Sequence, residues 1–158
     1  EGLTMAVDAR GVVSGLIIAP ACGAALCVAG MMVHFVTTDP AGAALTLGEL
    51  TPMAGAVWFS ALMFAYPAAV GFLLIWLGLR AAGLGAAGLW IGGILAGFAA
   101  MAAYLQRIHG GGFSTALAGG RDLATLTLPE LPQVFALPLI GAASGLLAAI
   151  LFGILARR

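Results

Sequence analysis

Four long stretches of the chain carry apolar side chains unbroken by charge, and polar-rich segments separate them. They cover residues 11–36, 53–79, 84–106 and 134–156. None contains Asp, Glu, Lys or Arg, and the one His among them, His34, stands near the end of the first. A membrane-spanning helix needs about 20 mostly apolar residues, and each stretch is long enough. The pattern predicts an all-α, polytopic membrane protein, a four-transmembrane-helix bundle forming a single domain over residues 1–158. The first stretch is longer than the ~7–15-residue apolar core of a signal peptide and lacks a cleavage site, so it reads as a retained helix.

The connections are unequal. Spans two and three are joined by Arg80-Ala81-Ala82-Gly83 alone, a tight helical hairpin with Gly83 at the turn. Loops over residues 37–52 and 107–133 join the other pairs. Arg10, Arg80, Arg157 and Arg158 fall on one side of this topology, Arg107 and Arg121 on the other. Basic residues favour the cytoplasmic side. Both termini are therefore expected in the cytoplasm and both long loops outside, in a membrane such as the bacterial inner membrane.

The two halves echo one another. Loop one ends Thr46-Leu47-Gly48-Glu49-Leu50-Thr51-Pro52 and loop two ends Thr127-Leu128-Pro129-Glu130-Leu131-Pro132. His34 and His109 stand at the outer ends of the odd-numbered spans. Arg80 and Arg157 stand at the inner ends of the even-numbered ones. The expectation is two tandem helix–loop–helix repeats in parallel orientation, related by an axis along the membrane normal. Thr-x-x-Glu is a capping box, which starts a helix. Pro52 and Pro132 then either begin a helix or bend one already begun. Glu49 and Glu130 thus have two readings, helix caps or a pair of outward-facing ligands.

Composition narrows the choice further. Hydrophobic residues make up 63% of the chain and charged residues 8%, against about 25% charged in a soluble domain. Lipid must solvate the outer surface. Six basic and six acidic side chains balance to zero, which leaves no basic field for nucleic acid. The partners expected are the lipid bilayer and either further copies of the chain or other membrane subunits. Glycines four apart, at Gly11 and Gly15, Gly88 and Gly92, Gly93 and Gly97, and Gly141 and Gly145, predict close helix packing, with span three touching two neighbours. Pro20 and Pro67 should kink spans one and two. Trp58 and Tyr104 are placed for an outer aromatic belt, Trp76 and Trp90 for an inner one. Tyr66 lies mid-span, where its hydroxyl needs a partner, and a carbonyl released by Pro67 is the nearest candidate. Cys22 and Cys27 diverge by about 140° on a helix and read as small core residues rather than a redox pair.

The absent chemistry bounds function. No carboxylate lies near mid-membrane, where proton-coupled transport needs one. No paired His lies at mid-depth for haem. The chain carries no nucleophile elbow, zincin motif or phosphate loop, and no cofactor is implied. Candidate binding residues are Glu49, Glu130, Arg107, Arg121 and Tyr66. His34 and His109 form a candidate metal pair that Glu49 or Glu130 would complete. Asp39 and Asp122 add polar groups outside, and 122–134 is a candidate short interfacial helix. The leading expectation is a non-enzymatic membrane protein, an accessory subunit or an oligomeric binding or transport component. Against it stand a transporter or channel lined by the kinked spans one and two, and a membrane enzyme using the outer His and carboxylates.

Overall fold

A computed structural model describes residues 9–112, 115 and 123–156. The described residues are helical with no strand. Four long helices, α1 (Ala9–Thr38), α3 (Leu47–Ala81), α4 (Gly85–His109) and α5 (Leu131–Leu155), are each apolar and long enough to cross a membrane. A single helical turn, α2 (Pro40–Ala43), lies between α1 and α3, and two 3-10 turns, Leu123–Thr125 and Leu128–Glu130, precede α5.

The helices run longer than hydropathy implies because polar groups extend them beyond their apolar stretches. α3 begins six residues before its apolar run, at the capping box. The Thr46 N–H and hydroxyl both donate to Glu49 Oε2, at 2.9 and 2.8 Å. Pro52 therefore sits inside α3, which continues through it, and loop one shrinks to residues 39–46. At the second box the Thr127 N–H and hydroxyl donate to Glu130 Oε2 at 2.8 and 2.7 Å. There Pro132 falls in the first turn of α5, where a missing N–H costs nothing. The expected interfacial helix over 122–134 is instead two short turns and the start of α5, while Asp122 lies outside the described residues.

Between α3 and α4 the chain reverses in three residues. The Leu84 N–H donates to the Leu79 carbonyl at 3.0 Å, and Gly83 adopts φ +84°, a conformation L side chains rarely take.

The helices pack in the cyclic order α1, α3, α4, α5, each against its two neighbours. The tightest seam joins α4 and α5. A Cβ on Gly145 would lie on the Gly93 carbonyl oxygen and 2.7 Å from Gly97 Cα. Between lipid-embedded helices such backbone approach supplies much of the attraction. The other face of α4 meets α3, where Gly92 faces Phe72 and Gly88 faces Leu79. Along α1, Gly11, Gly15, Gly23 and Gly30 all turn toward α5. Gly55, Gly71 and Gly78 of α3 meet nothing, and α3 buries least of the four helices.

Two placements depart from the sequence reading. Trp76 is not a belt residue: it is 5% exposed, packed edge-on against Phe152. Cys22 is not in the core but on the outer surface, and Cys27 is half-buried. A third residue escaped the sequence reading altogether. Pro138 lies inside α5 and is fully buried.

Candidate functional site

A space of about 110 Å³ lies at the centre of the bundle, walled by all four helices and partly open to the bundle surface. Its origin is visible in the side chains of α3. Phe64 meets Tyr104 of α4 edge-on at 5.7 Å between ring centroids. Two turns further along, Phe72 meets Phe152 of α5 edge-on at 5.4 Å. The two aromatic struts stand about 12 Å apart along the helix and hold α3 off its neighbours. Between them α3 offers only Ala65, Ala68 and Ala69, which are too short to fill the gap. Opposite stand the small residues Ala19, Gly23 and Ala24 of α1 and Ala96, Gly97 and Ala100 of α4, with Leu16, Met31 and Met101 among them.

Aromatic rings stack at the end of the space toward Arg80. Trp76 packs behind Phe152 at 5.6 Å, and the Arg80 guanidinium stacks over the Trp76 ring at 5.5 Å. Phe72, Trp76 and Phe152 are all buried. The wall residues of α3 from Ala61 to Ala69 are half-buried, whereas Ala19, Gly23, Ala24 and Ala96 opposite are buried. Of the four walls α3 is the least buried, with Phe72 its one buried lining residue among those described.

Among the described residues the lining holds no Asp, Glu, Lys, Arg or His. Its polar groups are Cys27, Ser144 and Tyr104, which come together from α1, α5 and α4. Ser144 is 7% exposed, the buried polar residue of the core, and its side chain faces the same space as the Cys27 thiol. Tyr104 lines the same space as Cys27, from the facing helix α4. The rest of the wall is hydrocarbon. Such a space suits an uncharged, largely apolar occupant oriented by a few polar contacts.

The sequence-chosen residues lie elsewhere. Glu49 is exposed and engaged by its own helix cap. Two donors from Thr46 hold its carboxyl below the usual carboxylate range, ahead of the apolar stretch of α3. Glu130 is engaged in the same way by Thr127. Arg107 and His109 are exposed in the last turn of α4, and Arg121 lies outside the described residues. His34 is half-buried near the end of α1, where its carbonyl accepts the Thr38 hydroxyl at 2.6 Å. Among the described residues no three His, Cys, Asp or Glu side chains converge as a metal site. Asp39 caps α2, its carboxylate accepting the Ala41 N–H at 2.8 Å.

Tyr66 has a partner other than the one expected. Its hydroxyl donates to the Ile17 carbonyl of α1 at 3.3 Å, beside Pro20, and not to a carbonyl of its own helix. Trp58 Nε1 donates to the Ala21 carbonyl, one turn further along α1, at 3.4 Å. Trp58, 40% exposed, thus reaches across to the middle of α1. Together the two residues clamp α3 onto α1 across the seam that lacks glycine contacts. From sequence Cys27 was read only as a small core residue and Tyr104 only as a belt residue, and Ser144 and Phe64 were not singled out. The available signal was Ser144, a hydroxyl flanked by Gly141 and Gly145 on the packing face of α5.

No family model matches the sequence, and no curated protein or solved structure is significantly similar to it.

Proposed function

We propose that this chain is a small, non-enzymatic integral membrane protein that works by binding, holding an uncharged, lipid-soluble molecule inside its bundle. One observation carries the reading: the central space is walled by all four helices and, among the described residues, lined without an ionisable carboxylate, amine or imidazole. A path for ions or protons would need polar or charged groups along its length. Here buried aromatic rings stack at the end of the space toward Arg80.

The wider setting is part of the same proposal. Arg10 and Arg80 stand at one end of the bundle, as the packing of Gly11 against Ala156 and of Trp76 against Phe152 requires. With the basic-residue rule this puts that end in the cytoplasm, of a bacterial inner membrane in our reading. We also take the halves to be tandem copies. The supporting observations are the matching Thr46–Glu49 and Thr127–Glu130 caps and a cyclic order in which a two-fold axis exchanges α1 with α4 and α3 with α5. Further copies of the chain or other membrane subunits would receive or deliver the bound molecule.

Native mass spectrometry of the protein released from mild detergent tests the binding reading. The wild type should retain a small adduct that is lost when the space is filled by Ala65→Phe or Ala69→Phe. Equal adducts on wild type and on both folded variants would overturn it.

A further inference from the structure

Cys27, Ser144 and Tyr104 are the polar groups of an otherwise hydrocarbon wall, and they face the same space from three different helices. Packing alone does not explain them. Ser144 is buried where Ala or Gly would serve the glycine seam as well. The Tyr104 ring is fixed by Phe64, which a Phe would satisfy equally, yet the residue carries a hydroxyl. That hydroxyl makes no hydrogen bond within the described residues, although Tyr104 and Cys27 line the same space. A phenol held on an apolar wall ordinarily finds a partner. The volume sets the size of what could supply one. An apolar cavity of about 150 Å³ accepts a benzene-sized molecule, so about 110 Å³ accepts one chain or one small ring, not the paired chains of a bilayer phospholipid.

Resting on the binding reading above, we propose that the Cys27–Ser144–Tyr104 trio seats a single hydroxyl or carbonyl group of a one-chain, uncharged amphiphile. The apolar body of that ligand lies against Ala65, Ala68 and Ala69 and points toward Phe72 and Phe152. Entry is lateral, from the bilayer, along the half-buried wall of α3. The head group exchanges hydrogen bonds with the Tyr104 and Ser144 hydroxyls. A carboxylate or phosphate head is rejected, because nothing in the lining would compensate a buried charge.

Trp76 stands behind the floor of the space and serves as the reporter. In full-length protein carrying Trp58→Phe and Trp90→Phe, Trp76 is the sole tryptophan, since the chain has three. The protein is reconstituted in unbrominated phosphatidylcholine and titrated with an ω-bromoalkanol, an ω-bromoalkane and an ω-bromoalkanoate. The expected result is saturable quenching of Trp76 by the alkanol, with weaker saturation by the alkane and none by the ionised acid. Tyr104→Phe and Ser144→Ala should each raise the half-saturating alkanol concentration roughly two- to tenfold, the worth of one neutral hydrogen bond. They should leave the alkane titration unmoved. Ala65→Phe should abolish both.

If the two head-group variants leave the alkanol titration unchanged while Ala65→Phe abolishes it, the head-group site is overturned and the binding reading stands. If bilayers of chain-brominated phosphatidylcholine quench Trp76 fully and the alkanol adds nothing, ordinary lipid fills the space and the proposed ligand class is overturned. No saturable quenching in the parent protein, with its thermal unfolding intact, would overturn the binding reading as well.

Discussion

Gly97 and Gly141 meet through their backbones: a Cβ at Gly97 would fall on the Gly141 carbonyl oxygen and 2.7 Å from Gly145 Cα. The pair fixes how closely α4 and α5 approach. Gly97→Ala should therefore lower stability by about 1–3 kcal/mol, the usual cost of overpacking, and Gly93→Leu should prevent the native bundle from forming. Gly71→Ala is the contrast, since nothing lies within 4 Å of that position. It should be neutral or stabilising by up to about 1 kcal/mol. Thermal unfolding in detergent separates the cases, and equal shifts for Gly97→Ala and Gly71→Ala would place the seam elsewhere.

Phe152 is shared by both inner aromatic contacts, with Phe72 and with Trp76. Phe152→Ala should cost about 3–5 kcal/mol and extend the central space to the Trp76 ring. In the single-Trp76 background the emission should shift to the red as the ring loses its cover. An unshifted spectrum would show that Trp76 does not depend on Phe152 for burial.

The α1–α3 seam relies on aromatic side chains donating to carbonyls. Tyr66→Phe removes the bond to Ile17 at 3.3 Å. Hydrogen bonds between helices in a membrane average about 0.6 kcal/mol, so the loss should be of that order and confined to this seam. Hydrogen exchange should speed up around Ala21 in α1 and leave α5 unchanged. Matching acceleration in α5 would mean that α1 moves as a whole.

The cap of α3 carries a pH dependence whose sign is fixed. Glu49 is held below its usual range by the Thr46 N–H and hydroxyl. A depressed carboxylate contributes fully above its unfolded value of about 4.3, and the contribution is lost as pH falls through the folded value. Protection of the amides at the start of α3, corrected for the intrinsic pH dependence of exchange, should fall on acidification below that range, whereas Glu49→Gln, whose neutral amide oxygen can still accept from Thr46, should show protection that does not vary with pH. A Glu49→Gln profile that still follows pH would exclude this carboxylate as the cause.

Orientation is testable at Ala43, which is exposed at the end of α2. In an Ala43→Cys protein also carrying Cys22→Ala and Cys27→Ala, an impermeant thiol reagent should label intact cells. Labelling only after permeabilisation would put both termini outside.

The four helices were legible because a charge-free run of spanning length has few other uses. Their ends were not, since Thr46 with Glu49 starts α3 in polar sequence that hydropathy scores as loop. Which face of each helix turns inward was hidden for a physical reason. In lipid the outer face is as apolar as the inner one, so Trp76 and Trp90, or Cys22 and Cys27, look alike in sequence while one of each pair turns inward. The glycine seam was legible from its spacing. The central space was not, because alanine and glycine are the residues of both tight contact and void. Only the bulk of Phe64 and Phe72 on either side of Ala65, Ala68 and Ala69 separates the two.

The length of α3 has a consequence for the membrane itself. Its 35 residues extend about 52 Å, while α4 and α5, with 25 residues each, extend about 38 Å. A hydrocarbon layer is about 30 Å thick. The long helix must lean or stand proud of its neighbours, and a thicker bilayer relieves that mismatch. Lipid chain length then becomes a control on how firmly α3 rests against α1, and so on how far the side of the bundle stands open.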